Sequence, residues 1–290
     1  MSCKVSFVGL GVMGYPMAGH ISQGHPVVIY NRSQLKAEAW LNDYSGTSVS
    51  SPKEIGAMCD EVYMCIGNDS DVREVIDGDE GLLKGMSQGG VIIDHTTTSS
   101  DLSKEMSNLC LSKGIYYLDA PVSGGQAGAE NGALTIMIGG DEEAYKIALL
   151  TMSCYTKFSK LMGPSGSGQL TKMVNQICIA GLVQGLAEGI HFANKAELNI
   201  QDVIEVISKG AAQSWQMVNR WETMSLGQYE HGFAVDHMRK DLAIAINEAQ
   251  KNNAKLEVTE LVDKFYKDLQ DMEGNRWDTS SLLKRLQEYD

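Results

Sequence analysis

The chain has 290 residues, of which 43% are hydrophobic and 21% charged, a composition typical of a globular protein large enough for two domains. Its 37 acidic and 24 basic residues give a formal net charge of −13, which argues against nucleic acids and anionic membrane surfaces as partners. The longest strictly apolar run in the C-terminal half, 177–183, is far shorter than a membrane span of roughly 18–20 residues. Neither the six cysteines nor the six histidines show metal-ligand spacing, so we expect reduced thiols, a cytoplasmic location and no metal site.

The first half of the chain alternates short segments rich in Val and Ile with helix-length segments. This alternation predicts βαβ units and a parallel sheet covered by helices on both faces. The predicted strands are 4–9, 27–30, 61–66, 91–94, 116–119, 133–138 and 154–158, and the predicted helices are 13–23, 33–42, 101–113 and 142–149. The fold class is therefore α/β, with an N-terminal doubly wound parallel sheet of the Rossmann type.

The pattern changes at 163–168, the stretch of the chain that is densest in Gly, Pro and Ser. Residues 169–194 predict one long helix that is apolar on nearly every face and so belongs inside a core. Further helices are predicted at 200–209, 234–252, 257–272 and 279–288. We therefore expect a Rossmann domain at 1–163 and an all-α domain, built on the long interdomain helix, at 164–290. Such an apolar helix also predicts a partner chain, in a homodimer or homotetramer.

A glycine-rich turn follows the first predicted strand and opens the first predicted helix. Its residues are Gly9, Leu10, Gly11, Val12, Met13 and Gly14. In this context the first glycine permits the tight turn, the second lets a pyrophosphate approach the backbone, and the third lets helix and strand pack closely. The helix N-terminus supplies N–H groups for the phosphates. The spacing favours a dinucleotide site; the alternative is a glycine turn that binds no ligand.

The turn after the second strand, Asn31-Arg32-Ser33, indicates which dinucleotide binds. NAD sites usually place Asp or Glu here to accept a hydrogen bond from the ribose 2′-hydroxyl, whereas an Arg suits the 2′-phosphate of NADP. This turn has no carboxylate, and Arg32 offers a planar fork of donors. We therefore expect NADP to be preferred, with NAD possible. The alternative is that Arg32 is a solvated surface residue.

Two further segments carry residues that could bind or react with a substrate. Ser123-Gly124-Gly125 offers a hydroxyl and consecutive N–H groups that can bind an anion, although a plain turn would have the same sequence. Lys172 lies near the start of the long helix in an apolar stretch, with Asn175 on the same face. Desolvation there would lower the pKa of the lysine from about 10.4 toward neutrality, as a general acid/base requires. The alternative is a lysine that extends its ammonium group to solvent.

Together these motifs resemble the β-hydroxyacid dehydrogenase family, which includes 3-hydroxyisobutyrate, tartronate-semialdehyde and glyoxylate/succinic-semialdehyde enzymes. The resemblance covers essentially the whole chain and rests on four motifs: GLGVMGYPM at 9–17, DAPVSGG at 119–125, GSGQLTKMVN at 166–175 and FAVDHMRKDL at 233–242. It implies an NAD(P)-dependent oxidoreductase that interconverts a small β-hydroxy acid and its semialdehyde, similar to 3-hydroxyisobutyrate dehydrogenase. The alternatives are a reductase of glyoxylate, succinic semialdehyde or tartronate semialdehyde, and, more distantly, a non-catalytic NADP-binding module.

The resemblance also implies roles for individual residues. Lys172 would be the catalytic acid/base. The substrate, a small carboxylate-bearing molecule, would contact Ser123, Gly124, Gly125, Asn175 and Phe233. Besides the glycine loop and the Asn-Arg-Ser turn, the cofactor contacts would be Thr97 and Lys240.

One residue departs from the family pattern, and two related families fit less well. His95 stands where the family usually has a small residue, and we interpret it as a neutral, hydrogen-bonded imidazole rather than a second acid. Imine reductases usually replace the lysine that matches Lys172. Phosphogluconate dehydrogenases are much longer and carry a His beside it, where this chain has Met173.

Overall fold

The computed structural model describes residues 5–288, which form two compact units that divide between Lys172 and Met173. The strands, all in the N-terminal unit, are β1 (Val5–Val8), β2 (Val27–Tyr30), β3 (Thr47–Ser48), β4 (Glu61–Met64), β5 (Val91–Asp94), β6 (Tyr116–Asp119), β7 (Val122–Ser123), β8 (Leu134–Gly139) and β9 (Thr156–Gly163). Its helices are α1 (Gly14–Ser22), α2 (Gln34–Asp43), α3 (Pro52–Met58), α4 (Asp69–Asp77), α5 (Ser100–Ser112), α6 (Gly125–Glu130) and α7 (Glu142–Met152). Helix α8 (Ser167–Lys195) begins in this unit and continues into the C-terminal one, which adds α9 (Ile200–Ile207), α10 (Trp215–Ser225), α11 (Val235–Asn252), α12 (Glu257–Asp271) and α13 (Leu282–Glu288).

The nine strands form one sheet in the order β3-β2-β1-β4-β5-β6-β8-β7, with β9 beside β8. Neighbouring strands from β3 to β6 are parallel, whereas β8 runs antiparallel to β6 and β7. The chain order reverses at β1, which lies between β2 and β4. Doubly wound sheets bind ligands at the carboxyl ends of strands beside such a reversal. The predicted Rossmann-type sheet, followed by a helical C-terminal part, is confirmed.

Alternate residues of the central strands pack on opposite faces of the sheet. Phe7 and Ile29 belong to one hydrophobic core, together with Trp40 of α2. Val8 and Val28 belong to the core on the other face. Because both faces are buried, these strands are almost entirely apolar, with Ser6 of β1 as a buried polar exception, and this is why the sequence pattern located them.

The predicted elements that differ from the structure are mostly short or exposed. The strands at 27–30, 91–94 and 116–119 are confirmed at both ends. The sequence analysis did not predict β3, β7, α3, α4, α6 or α10. The bounds predicted for the last strand were wrong, since β9 runs from Thr156 to Gly163. This strand lies at the sheet edge and exposes Phe158 and Met162, so its polar and apolar residues do not form the Val/Ile run of a buried strand.

Helix α8 is two residues longer at its start and one at its end than the predicted 169–194. The prediction that a core surrounds it on nearly every face is wrong, because Leu182 is 47% and Phe192 71% exposed. Only part of the helix surface, including Ala187 and Ile190, packs into the core of the C-terminal unit. By length and composition α8 could cross a membrane, a property that it shares with core helices of water-soluble proteins. The homodimer or homotetramer stays a prediction.

One buried carboxylate joins the end of β6 to the start of α8. Asp119 Oδ1 accepts a hydrogen bond from the N–H of Gly166 at 2.7 Å, and Oδ2 accepts one from the N–H of Gln169 at 2.9 Å. A Cβ on Gly168 would lie 2.5 Å from the carbonyl oxygen of Asp119 and 2.6 Å from that of Met137, so glycine is required there. The first N–H groups of a helix need such an acceptor, and here a strand end provides it.

Asp94, at the end of the neighbouring strand β5, is a second buried carboxylate. Its Oδ1 accepts a hydrogen bond from the N–H of Thr96 at 2.8 Å, and its Oδ2 accepts one from the hydroxyl of Tyr117 at 2.8 Å. Burial raises the pKa of both Asp94 and Asp119 to about 6, against hydrogen bonds that lower it. Both carboxyl groups are therefore mainly ionised at neutral pH.

We predict that Asp94 makes the protein less stable as the pH rises from about 4 to about 6. Because its pKa in the folded state lies above the ordinary value of 3.8, the folded state binds more protons than the unfolded state in this window, and the free energy of unfolding decreases as they dissociate. Asp94→Asn should remove roughly 2–3 kcal/mol of this decrease. Urea unfolding of both proteins across this pH range measures it, and equal decreases in the two would contradict the prediction.

Candidate active site

The glycine loop between β1 and α1 is built for close backbone approach. Gly9 has a φ of +94°, and a Cβ there would collide with the carbonyl oxygen of Cys65. A Cβ on Gly14 would collide with the carbonyl oxygen of Gly9. Gly11 is different: it is exposed, and an added Cβ would meet no protein atom within 4 Å. Packing thus requires the first and third glycines, whereas the second leaves open space over the loop.

That open space fits the pyrophosphate of a dinucleotide. A Cβ on Gly11 would project into this open space, and α1 begins without a side-chain hydrogen bond at its N-cap, Met13. Helix N–H groups without a side-chain partner are suited to phosphate oxygens. Of the two other loop residues, Leu10 is buried and Val12 is 55% exposed.

The turn after β2 supports the glycine loop and presents one arginine. Asn31 Oδ1 accepts a hydrogen bond from the N–H of Leu10 at 2.9 Å, and its amide donates to the carbonyl of Ser33 at 2.9 Å. Arg32 is 90% exposed, with a guanidinium nitrogen 3.5 Å from Asp71 Oδ1. The bond between Leu10 and Asn31 was not predicted from the sequence, because the two residues are 21 positions apart.

Thr97 lies in the loop that follows β5, and His95 anchors the start of this loop. The Nδ1–H of His95 donates to the carbonyl of Ala120 at 2.6 Å, which leaves Nε2 to accept a hydrogen bond from the hydroxyl of Tyr155 at 2.9 Å. Burial lowers the pKa of His95 to about 4. The imidazole is therefore neutral at physiological pH, which agrees with our interpretation of His95 and not with a second acid.

The candidate anion loop begins with Ser123, the last residue of β7, and ends with Gly125, the first residue of α6. Ser123 is half-buried, and Gly124 and Gly125 have φ values of 136° and 61°, which favour glycine. An added Cβ on Gly125 would meet no atom within 4 Å. The loop backbone is thus accessible, in a conformation that consecutive glycines permit.

Lys172 meets this loop. Its side chain is only 7% exposed, and its ammonium Nζ donates to the carbonyl of Val122 at 2.9 Å. Val122 immediately precedes Ser123, so the structure brings the predicted acid/base and the predicted anion loop together within the N-terminal unit. A lysine that extends to solvent, the alternative interpretation, does not fit this burial.

The remaining predicted residues lie in the C-terminal unit. Asn175 donates to Gln176 Oε1 at 2.8 Å, and Gln176 donates to Asp241 Oδ2 at 2.7 Å. The ammonium nitrogen of Lys240 lies 3.4 Å from the other oxygen of Asp241. These bonds connect Asn175 on α8 to Lys240 on α11. The sequence analysis did not predict Gln176 as part of this connection.

Phe233 precedes α11 and is held by its backbone. Its N–H donates to Asp278 Oδ2 at 2.8 Å, and its ring centroid is 5.8 Å from that of His237. Burial lowers the pKa of His237, and the positive charges of Arg276 and Lys240 lower it further. Within residues 5–288, no group of three His, Cys, Asp or Glu side chains could hold a metal ion.

The two parts of the chain match two families of known proteins. Residues 4–163 match the family described as "NAD binding domain of 6-phosphogluconate dehydrogenase", and residues 166–286 match "NAD-binding of NADP-dependent 3-hydroxyisobutyrate dehydrogenase". An uncharacterized oxidoreductase of Shewanella frigidimarina is 56% identical over 98% of each chain. A probable 3-hydroxyisobutyrate dehydrogenase-like protein, mitochondrial, of Arabidopsis thaliana is 38% identical over 98% of this chain and 85% of its own.

The fold comparison agrees with the sequence comparison. The structure of a 3-hydroxyisobutyrate dehydrogenase of Mycobacterium tuberculosis with L-serine superposes with a TM-score of 0.88, at 25% identity and over 99% of both chains. The matched families together cover nearly the whole chain. The chain therefore belongs to the β-hydroxyacid dehydrogenase family, the NAD(P)-dependent oxidoreductases that include 3-hydroxyisobutyrate dehydrogenase.

Proposed function

We propose that this oxidoreductase interconverts a small β-hydroxy acid and its semialdehyde, with NADPH preferred over NADH. The observation that carries the proposal is the bond from the buried ammonium of Lys172 to the carbonyl of Val122, directly before Ser123. A proton donor and a candidate carboxylate-binding loop are thereby adjacent, which is what a substrate with a carbonyl near a carboxylate requires.

The residues of this chain have separate tasks in the proposed reaction. Bound NADPH would supply the hydride for reduction of the carbonyl. Lys172 would give a proton to the carbonyl oxygen in that direction and take it back in the oxidation of the alcohol. Ser123, Gly124 and Gly125 would bind the substrate carboxylate and so orient the reacting carbon, and Asn175, for which the family resemblance implies a substrate contact, would help to orient the substrate.

The substrate that we favour resembles 3-hydroxyisobutyrate, because the C-terminal half of the chain matches the family named for that activity. L-Serine, present in the related structure, is itself a β-hydroxy acid. Reduction of glyoxylate, succinic semialdehyde or tartronate semialdehyde is the second candidate. A panel of these acids and aldehydes, each assayed with NADPH and NADH, separates the candidates by kcat/KM.

The preference for NADPH rests on the turn after β2. Arg32 is exposed and could donate to a 2′-phosphate, and Ser33 adds a hydroxyl. Asp71, 3.5 Å from the guanidinium, is a counter-charge with which the phosphate would compete. The turn itself offers no carboxylate to a ribose 2′-hydroxyl, which is the usual feature of an NAD site.

Replacing Lys172 with Ala should lower kcat by about 10²- to 10⁴-fold, the usual contribution of general acid/base catalysis, and should leave NADPH affinity nearly unchanged. Lys172→Arg should be almost as inactive, since it keeps the charge but does not release a proton. The control is Lys157→Ala on the exposed edge strand. A Lys172→Ala enzyme with more than a tenth of the wild-type kcat would falsify the role.

Ser123→Ala should mainly raise KM for the acid substrate. A bound carboxylate is held alike in the ground state and the transition state, so kcat should change little. Loss of one donor to a charged group corresponds to about 1–3 kcal/mol in kcat/KM. An aldehyde without a carboxylate should be a poor substrate and nearly indifferent to the change. If that aldehyde is reduced as well as its acid counterpart, Ser123 does not bind a carboxylate.

The wild-type enzyme should prefer NADPH over NADH by roughly 10- to 100-fold in kcat/KM, and Arg32→Asp should reverse this preference. The advantage of NADPH should weaken with added salt, because the phosphate contact is exposed. Lys53→Asp, at another exposed site, makes the same change of charge and serves as the control. Equal use of the two cofactors by the wild type would show that Arg32 is only a solvated surface residue.

A further inference from the structure

Gln169, in the first turns of α8, clamps the loop that contains Thr97. Its side chain is completely buried. The amide nitrogen donates to the carbonyl of Thr96 at 2.7 Å, and the amide oxygen accepts a hydrogen bond from the N–H of Thr98 at 3.1 Å. The two bonds fall on either side of Thr97 and so fix the backbone of this residue from both directions.

The same residue is tied to β6 and to the turn of helix that bears Lys172. The backbone N–H of Gln169 donates to Asp119 Oδ2 at 2.9 Å. Lys172 follows three residues later in α8, which places the two side chains on one face of the helix. A helix turn is stiff, so the position of the Thr97 loop relative to Lys172 depends on the Gln169 amide.

The chemistry of the clamp is specific to glutamine. The amide supplies one donor and one acceptor, and the loop requires both, since the Thr96 carbonyl accepts and the Thr98 N–H donates. Methionine has similar length but neither group. An ionised glutamate could accept from Thr98 but would place a charged oxygen against the carbonyl of Thr96.

We propose that Gln169 is a positioning residue for hydride transfer, because it holds Thr97 at a fixed position relative to Lys172. The inference rests on the proposed function, in which Lys172 moves the proton, and on the role of cofactor contact that the family resemblance implies for Thr97. Hydride transfer depends steeply on the distance and orientation of the reacting atoms. Loosening the clamp should therefore slow the chemical step without weakening cofactor binding in proportion.

The first test compares Gln169→Met with Gln184→Met, a control with a buried glutamine on the same helix whose amide bonds to Glu188. Gln169→Met should lower kcat by about 10- to 100-fold while the Kd of NADPH, from fluorescence quenching, changes by less than about 3-fold. The deuterium isotope effect on kcat, with NADPH labelled at the transferred position, should rise toward its full value. Gln184→Met should keep kcat within about 3-fold of the wild type.

The second test uses Gln169→Glu, which also decides the matter if the Met variant does not fold. A protonated glutamic acid reproduces both bonds of the amide, whereas the carboxylate breaks one, so the ratio of its kcat to that of the wild type should rise as the pH falls. The titratable groups on the surrounding elements are Asp94 and His95 at the end of β5, Lys104 on α5, Asp119 on β6 and Lys172 on α8. All are present in both enzymes, so a change in the ratio with pH reports the new carboxyl group together with its coupling to these neighbours.

The outcomes separate this inference from the proposed function. A Gln169→Met enzyme with kcat within about 3-fold of the wild type, or one impaired only in NADPH affinity, overturns the positioning role. A ratio for Gln169→Glu that does not change with pH also overturns it. If Lys172→Ala keeps its activity while Gln169→Met loses kcat, the acid/base role fails and the clamp on Thr97 stands.

Discussion

The carboxylate of Asp119 is the interaction on which the candidate site depends. It accepts hydrogen bonds from the N–H groups of Gly166 and Gln169, and so fixes the first turn of α8 to the end of β6. An ionised carboxylate is costly to bury unless its oxygens accept hydrogen bonds. Separating β6 from α8 would therefore leave the Asp119 carboxylate without these hydrogen bonds. Lys172 is one turn further along the helix, and its ammonium bonds to Val122, three residues after Asp119. The end of β6, the first turn of α8, Lys172 and Val122 are therefore connected to one another by a closed circuit of hydrogen bonds and chain connections.

Glycine makes this circuit possible, because the backbones approach too closely for any other residue. A Cβ on Gly139 would lie 2.6 Å from Asp119 Oδ1, and one on Gly168 would lie 2.5 Å from the Asp119 carbonyl oxygen. The glycines that interrupt the pattern at 166–168 therefore do more than mark a domain boundary. Gly166 has a left-handed backbone conformation, which lets the chain leave β9 and begin α8 within a few residues.

The features predicted from the sequence are those encoded by neighbouring residues. The nearly continuous apolar runs of β1, β2 and β5, the glycine loop and the apolar stretch around Lys172 each leave a local pattern of residue types. The hydrogen-bond partners of Asn31 and Gln169 leave no such local pattern. The partner of Asn31 lies 21 positions away in the chain, and those of Gln169 lie more than 70 positions away. The edge strand β9 and helix α10 were missed or misplaced because exposure mixes polar and apolar residues. No role for Gln169 was predicted from the sequence, because its three-residue spacing to Lys172 does not distinguish a clamp from a surface glutamine.

Two kinds of polar group among the residues of the candidate site and its supports bear on how such a site can change specificity. Asp94, Asp119, His95 and Gln169 are buried and bonded within the protein, so replacing any of them leaves a partner unsatisfied. Arg32 and the backbone of Gly11 and Gly125 face open space. Substitution of these exposed groups should therefore leave the buried network undisturbed. In the proposed site, the residues that hold Lys172 can thus stay constant while the groups proposed to recognise cofactor and substrate change, as a family with several substrates requires.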